Sequence, residues 1–180
     1  MKKQKPKIIE DKKQRGEWAE SVFMARAHEH GLPVSKPWGE LSCYDFVIGK
    51  TGRFVSVQVK STLMKESGGY NCTVRGGHKA YAPGSFDFVA CYVIPADAWY
   101  IIPAEVVHGK RSIVFYPGSP TSKHESYREA WHLLREAVDL KQPANEIVSQ
   151  HPVENEEPPR NPMEQRMLAS FNFVRRHWER

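Results

Sequence analysis

From about Gln14 to His30 the apolar residues recur at intervals of three and four: Trp18, Val22 and Ala25, with Ala19 and Phe23 beside them. That period predicts a helix, and Gly31 and Pro33 end it. After a short segment around Pro37 to Leu41, the pattern changes to alternation. The runs YDFVIG and RFVSVQVKST flank a KTGR turn, which predicts a β-hairpin. Ser67 to Gly69 reads as a loop and YNCTV as a third strand. GGHKAYAPGS, with its glycine pair, a proline and a third glycine, reads as a loop. FDFVACYVI and AWYIIPAEVV predict two further strands joined by a Pro-Ala-Asp turn. From Ser126 to Leu140 the helical period returns, with Tyr127, Ala130, Trp131, Leu134 and Val138 on one face. A helix, several strands and a helix, in that order, predict an α/β domain around a central mixed β-sheet flanked by helices.

Composition divides the rest of the chain. Between Gln142 and Pro162 lie five prolines and four glutamates with few large apolar residues, so residues 142–161 read as a linker. Residues 162–180 return to helical spacing through Met163, Met167, Phe171, Val174 and Trp178. Arg166, Arg175, Arg176 and Arg180 make this C-terminal helical tail basic. The folded body is thus expected over residues 14–141, behind a basic arm at residues 1–13. The first fifteen residues carry seven Lys/Arg against Glu10 and Asp11, a net +5, which equals the formal charge of the whole chain. Such an arm suits phosphate backbones through counterion release, or serves only as a solvated tail. No apolar run approaches the length of a membrane span. Three cysteines without a CxxC pair give neither a zinc site nor a disulfide framework, and a reducing, cytoplasmic setting is expected. No Ser-His-Asp order, GxSxG or phosphate-binding GxxxxGK occurs.

The hairpin carries the chemistry. With KTGR as the turn, Gly49 faces Phe54, Val47 faces Ser56 and Asp45 faces Gln58. Alternation then sends Tyr44, Phe46, Ile48, Val55, Val57 and Val59 to an apolar face. Asp45, Gln58 and Lys60 share the other face: a carboxylate, an amide and an ammonium. An aspartate between Tyr44 and Phe46 is out of place in a β-prone run. Its plainest role is an exposed carboxylate paired with Lys60 across the hairpin. The second Φ-Asp-Phe run, at Asp87, has no following Gln-x-Lys and reads as structural.

These residues also carry a resemblance. A helix with an acidic residue, a strand with Asp, a turn, and a strand ending in Gln-x-Lys resemble the PD-(D/E)XK nuclease superfamily. The stretch GEWAESVFMARAHEHGLPVSKPWGELSCYDFVIGKTGRFVSVQVKST is similar to its group I intron-associated endonucleases, which are related in fold to Holliday junction resolvases. The resemblance runs from about Gly16 to Val107. It implies a restriction-endonuclease-like core and a metal-dependent DNA endonuclease. By position it makes Glu20, Asp45, Gln58 and Lys60 the catalytic set. Glu20, Asp45, the Gln58 side chain and the Val59 carbonyl would ligate Mg²⁺, or Mn²⁺ in its place, as one ion or two. Glu17, one turn before Glu20, competes for the helix position. Tyr44 stands where the superfamily pattern has proline, and Gln58 where an acidic residue is usual. An inactive nucleic-acid-binding module of the same fold is the alternative. Ser61, Thr62, Arg75 and Lys79 are candidate phosphate contacts, with His78 in the same loop as Lys79. A homodimer is implied by resemblance alone.

Overall fold

The computed structural model describes residues 9–39, 42–50, 53–76 and 79–140. The chain divides into two units, Met1–Ala144 and Asn145–Arg180. The expected linker and basic C-terminal helix lie outside the described residues, as does most of the basic arm. The first helix, α1 (Lys12–Glu29), takes in the arm's last two lysines. It starts there because the Asp11 side chain caps it, accepting from the Gln14 amide at 2.7 Å. Its core-facing stripe is Ala19, Phe23 and Ala27, each four residues apart and buried. Trp18 and Ala25 fall outside that stripe. Trp18 remains 37% exposed, its ring lying 5.8 Å from that of Tyr92.

Ten strands follow among the described residues. They are β1 (Val34–Ser35), β2 (Phe46–Lys50), β3 (Arg53–Thr62), β4 (Lys65–Glu66), β5 (Gly69–Thr73), β6 (Arg75–Gly76), β7 (Lys79–Ala80), β8 (Phe88–Val93), β9 (Ala98–Pro103) and β10 (Ser112–Phe115). The main sheet has the order β1-β2-β3-β8-β9, in which only β3 and β8 run parallel. The mixed sheet with flanking helices is the predicted restriction-endonuclease-like architecture. The hairpin register is also as predicted, with Gly49 opposite Phe54 and Val47 opposite Ser56. Lys50 pairs with Arg53, which leaves a two-residue turn. Gly49 sits at φ +133°, and a Cβ there would lie 1.9 Å from the Arg53 carbonyl oxygen, so only glycine fits.

Two cores cover the two faces of the sheet. On one side Phe46, Ile48, Val55, Val57 and Val59 meet Phe23 of α1, Trp99, Trp131 and Leu134. The Phe23 ring lies 5.3–5.6 Å from those of Phe46, Trp99 and Trp131. On the other side Val89, Cys91, Tyr100 and Ile102 pack with Cys72, Ile113 and Phe115 of β5 and β10. Tyr44 belongs to this second core rather than the first. It precedes the strand, which starts at Phe46, so strict alternation does not reach it.

Three further stretches depart from the sequence reading. Residues 104–107 turn into a short helix, α2 (Ala104–Val107), instead of prolonging β9. The run Ser112–Phe115, unread as a strand, pairs with β5. The last helix, α3 (His132–Leu140), starts six residues later than its apolar period suggests. Glu129 explains the delay. Its carboxylate accepts from the Trp99 amide and the Trp131 indole, both at 2.8 Å, and its backbone takes φ +50°. Those contacts hold the preceding turn against β9 and override local helical propensity. Among the described residues, no helix is long and apolar enough to cross a membrane.

Candidate active site

Strand β3 lies at the centre of the main sheet, so both of its faces are covered. Val57 and Val59 point to the first core, and the side chains between them emerge on the other face. Gln58 is therefore buried, at 6% exposure. Asp45 forms the bend just before β2, where its amide donates to the Val57 carbonyl at 2.9 Å. Its Oδ2 accepts from the Val59 amide at 2.7 Å and from the Gln58 side-chain amide. Gln58 Nε2 also donates to the Val59 carbonyl at 3.3 Å. One amide nitrogen thus satisfies both the Asp45 carboxylate and the Val59 carbonyl. Gln58 would offer its oxygen to a cation only after turning that amide over.

These groups line a cavity of about 200 Å³ together with Glu20, Lys60 and Ser61. Its remaining wall comes from Gly16 and Ala19, one turn and one residue before Glu20 on α1. Of the two candidate carboxylates on α1, Glu20 lines the cavity and Glu17 is exposed outside it. The hairpin and α1 therefore bring Glu20, Asp45, Gln58, Val59 and Lys60 around one cavity. Thr62 does not join them. It is buried, and its hydroxyl donates to the Asn71 carbonyl at 2.6 Å and accepts from the Met64 amide. Arg75 and Lys79 stand on the β6–β7 ribbon, which the sequence reading took for an irregular loop, and Arg75 does not line the cavity. His78 lies outside the described residues.

Burial dominates the electrostatics of the site. Burial pushes the Asp45 carboxyl above its ordinary pKa, and the Glu20 charge adds to the rise. The Val59 amide, Lys60 and Lys36 oppose it. Lys36 answers Glu20 directly, with an ion pair at 2.8 Å. That hydrogen bond raises the Lys36 pKa, against the effect of partial burial. Sequence reasoning missed Lys36, because nothing local marks a residue sixteen positions past Glu20. Trp38, two residues further, stands fully exposed. Lys60 Nζ lies 5.5 Å from the centroid of the Tyr81 ring.

Among the described residues, no cluster of three or more His, Cys, Asp and Glu could hold a metal ion. A cation in this cavity would rest on two carboxylates, Glu20 and Asp45, with neutral oxygens from Gln58 and Val59. That all-oxygen set fits a hard divalent ion that keeps several waters, and it does not fit zinc. Asp87 serves a different purpose. Its Oδ2 accepts from the Ser56 amide at 2.7 Å and the Ser56 hydroxyl at 2.8 Å, which ties the start of β8 to β3. It borders a larger cavity of about 370 Å³, where apolar side chains prevail and no lysine faces a carboxylate.

The sequence profile of PD-(D/E)XK endonucleases matches residues 10–134. No curated protein matches the chain. Among the solved structures that do is a bacterial homing endonuclease, I-Ssp6803I. It is 29% identical, superposes with a TM-score of 0.62, and is matched over 74% of this chain and 98% of its own. The profile spans α1, the hairpin and every residue of the cavity, and the chain belongs to the PD-(D/E)XK endonuclease family.

Proposed function

We propose that this protein is a divalent-metal-dependent DNA endonuclease, with Mg²⁺ as the ion and Mn²⁺ as its substitute. The observation that carries this reading is the shared cavity of Glu20, Asp45, Gln58, Val59 and Lys60. A divalent ion held there would neutralise charge on the phosphoryl oxygens and acidify a water. Glu20, Asp45, the Val59 carbonyl and the Gln58 oxygen are its ligands in this reading. The chain's own groups do the rest. Lys60 orients the attacking water or receives its proton, and its charge offsets the negative charge that develops on the phosphate. Ser61, at the cavity's edge, donates to a phosphate oxygen. Arg75, Lys79 and the basic arm add salt-sensitive contacts to the backbone. A homodimer cutting both strands, in the cytoplasm, belongs to the same reading.

Gln58 favours a second reading. Its amide nitrogen already satisfies Asp45 and Val59 without any cation. A protein content in that state would bind nucleic acid and not cut it.

A nicking assay decides between them. Parent and Asp45→Ala are compared on supercoiled, linear and four-way-junction DNA in Mg²⁺, Mn²⁺ or EDTA. The nuclease reading expects cutting that needs metal and vanishes in the variant. Equal binding by both proteins, with no cutting of any substrate in either metal, supports the binding module and refutes the nuclease.

A further inference from the structure

Lys60 has a long, flexible side chain, and the reaction proposed above needs its ammonium in one place. Among the described residues it forms no ion pair. Its cross-strand partner on β8 is Cys91, a buried thiol. What faces the ammonium is the Tyr81 ring, 5.5 Å from Nζ to centroid. A ring face attracts a cation without neutralising it, so the charge stays available to a phosphate. A carboxylate in that position would compete with the substrate instead.

Tyr81 is itself held on two sides. Phe86 meets it edge-on, with centroids 4.8 Å apart and planes at 79°. On another side the ribbon backbone lies close to the ring. A Cβ added at Gly76 would meet Tyr81 Cε1 at 3.0 Å and Cζ at 3.4 Å. Gly76 pairs with Lys79, and Tyr81 directly follows that strand. The ring is therefore an extension of the ribbon that carries Arg75 and Lys79.

We propose that Tyr81 is the positioning residue for Lys60, and that the β6–β7 ribbon, through Gly76 and this ring, couples its own placement on the substrate to the placement of the lysine. The proposal rests on Lys60 acting in cleavage. Its elements are the ring over the ammonium and the missing side chain at residue 76 that lets the ribbon touch the ring.

The experiment uses the full chain, the best substrate from the nicking assay, and a temperature at which circular dichroism shows every variant folded. Tyr81→Phe keeps the ring and holds kcat within about twofold of the parent, whereas Tyr81→Leu lowers kcat about tenfold with KM and DNA affinity nearly unchanged. Gly76→Ala makes the ring yield by a few tenths of an ångström and lowers kcat by a smaller factor of about threefold. In the Tyr81→Leu background Gly76→Ala adds nothing, because there is no ring left to displace. If Tyr81→Leu does not fold, Gly76→Ala alone decides, and parental kcat in that variant overturns the proposal. Parental kcat in Tyr81→Leu overturns it as well. So does equal loss in Tyr81→Phe and Tyr81→Leu, or a loss confined to KM. A parent that cuts nothing refutes the nuclease reading and this proposal with it; a parent that cuts, with variants that match it, refutes this proposal alone.

Discussion

Two aspartates occupy near-identical local sequence, Tyr44-Asp45-Phe46 and Phe86-Asp87-Phe88, and their surroundings predict opposite responses to removal. Asp87 accepts the Ser56 amide at 2.7 Å and the Ser56 hydroxyl at 2.8 Å, and its own amide donates back to Ser56 Oγ at 3.0 Å. Asp87→Ala strips a partly buried backbone amide of its charged acceptor. Hydrogen bonds to charged groups contribute about 1.5–3 kcal/mol each, and partial exposure lowers the pair to about 3 kcal/mol in all. For a domain of this size that corresponds to a fall of roughly 10 °C in Tm. Asp45→Asn keeps an oxygen for the Val59 amide, so its stability stays within about 1 kcal/mol of the parent. Cleavage should follow the reverse order. Asp87→Ala cuts at parental rate per folded molecule, and Asp45→Asn does not cut. Urea unfolding gives the stabilities and a nicking time course below both transitions gives the rates. A stable Asp87→Ala that cannot cut would place Asp87 in the reaction machinery, and an Asp45→Asn losing several kcal/mol would make Asp45 structural; either outcome defeats the reasoning.

Four further expectations follow from the same geometry. Gln58→Glu removes the amide donor to Asp45 and Val59, so the metal-free protein loses about 1–3 kcal/mol, while its thermal stabilisation by Mg²⁺ begins at roughly tenfold lower ion concentration. An unchanged Mg²⁺ midpoint would remove Gln58 from the ion's shell. Because burial raises the Asp45 pKa above 3.8, its share of stability is fully present below that pH and is lost as pH rises through the folded value. The metal-free parent should therefore lose ground against Asp45→Asn from acid to neutral pH in urea titrations, and a gain would contradict the assignment. Gly49→Ala forces a Cβ against the Arg53 carbonyl and should cost about 3 kcal/mol or more, seen as a lower urea midpoint. Trp38→Ala should leave stability unchanged and weaken DNA binding about tenfold by fluorescence anisotropy, since a fully exposed ring two residues after Lys36 suits base stacking.

The hairpin and its register were legible because turn and alternation are local signals, and Gly49 enforces the turn with its positive φ. Asp45, Gln58 and Lys60 followed from that register, and Glu20 from the helix and the family resemblance. What stayed hidden depends on distant partners. Residues 126–131 carry a helical period, yet Glu129 is claimed by Trp99 across thirty positions. The strand at Ser112–Phe115 exists because β5 offers it an edge. Thr62 looked like an open strand-end hydroxyl until the β5 carbonyl of Asn71 took it. Lys36 became visible only when folding set it beside Glu20, and so did the contact of the Tyr81 ring with Lys60.

Strand β3 pairs with β2 on one edge and with β8 over six residue pairs on the other, and its valines are sealed in a core. The amides of its buried residues 57–59 are enclosed on both edges, so their hydrogen exchange should report only global unfolding. The geometry around Gln58 and Lys60 then has no softer failure of its own. On heating, the site should persist for as long as the sheet does, and activity should disappear in one cooperative step with the fold.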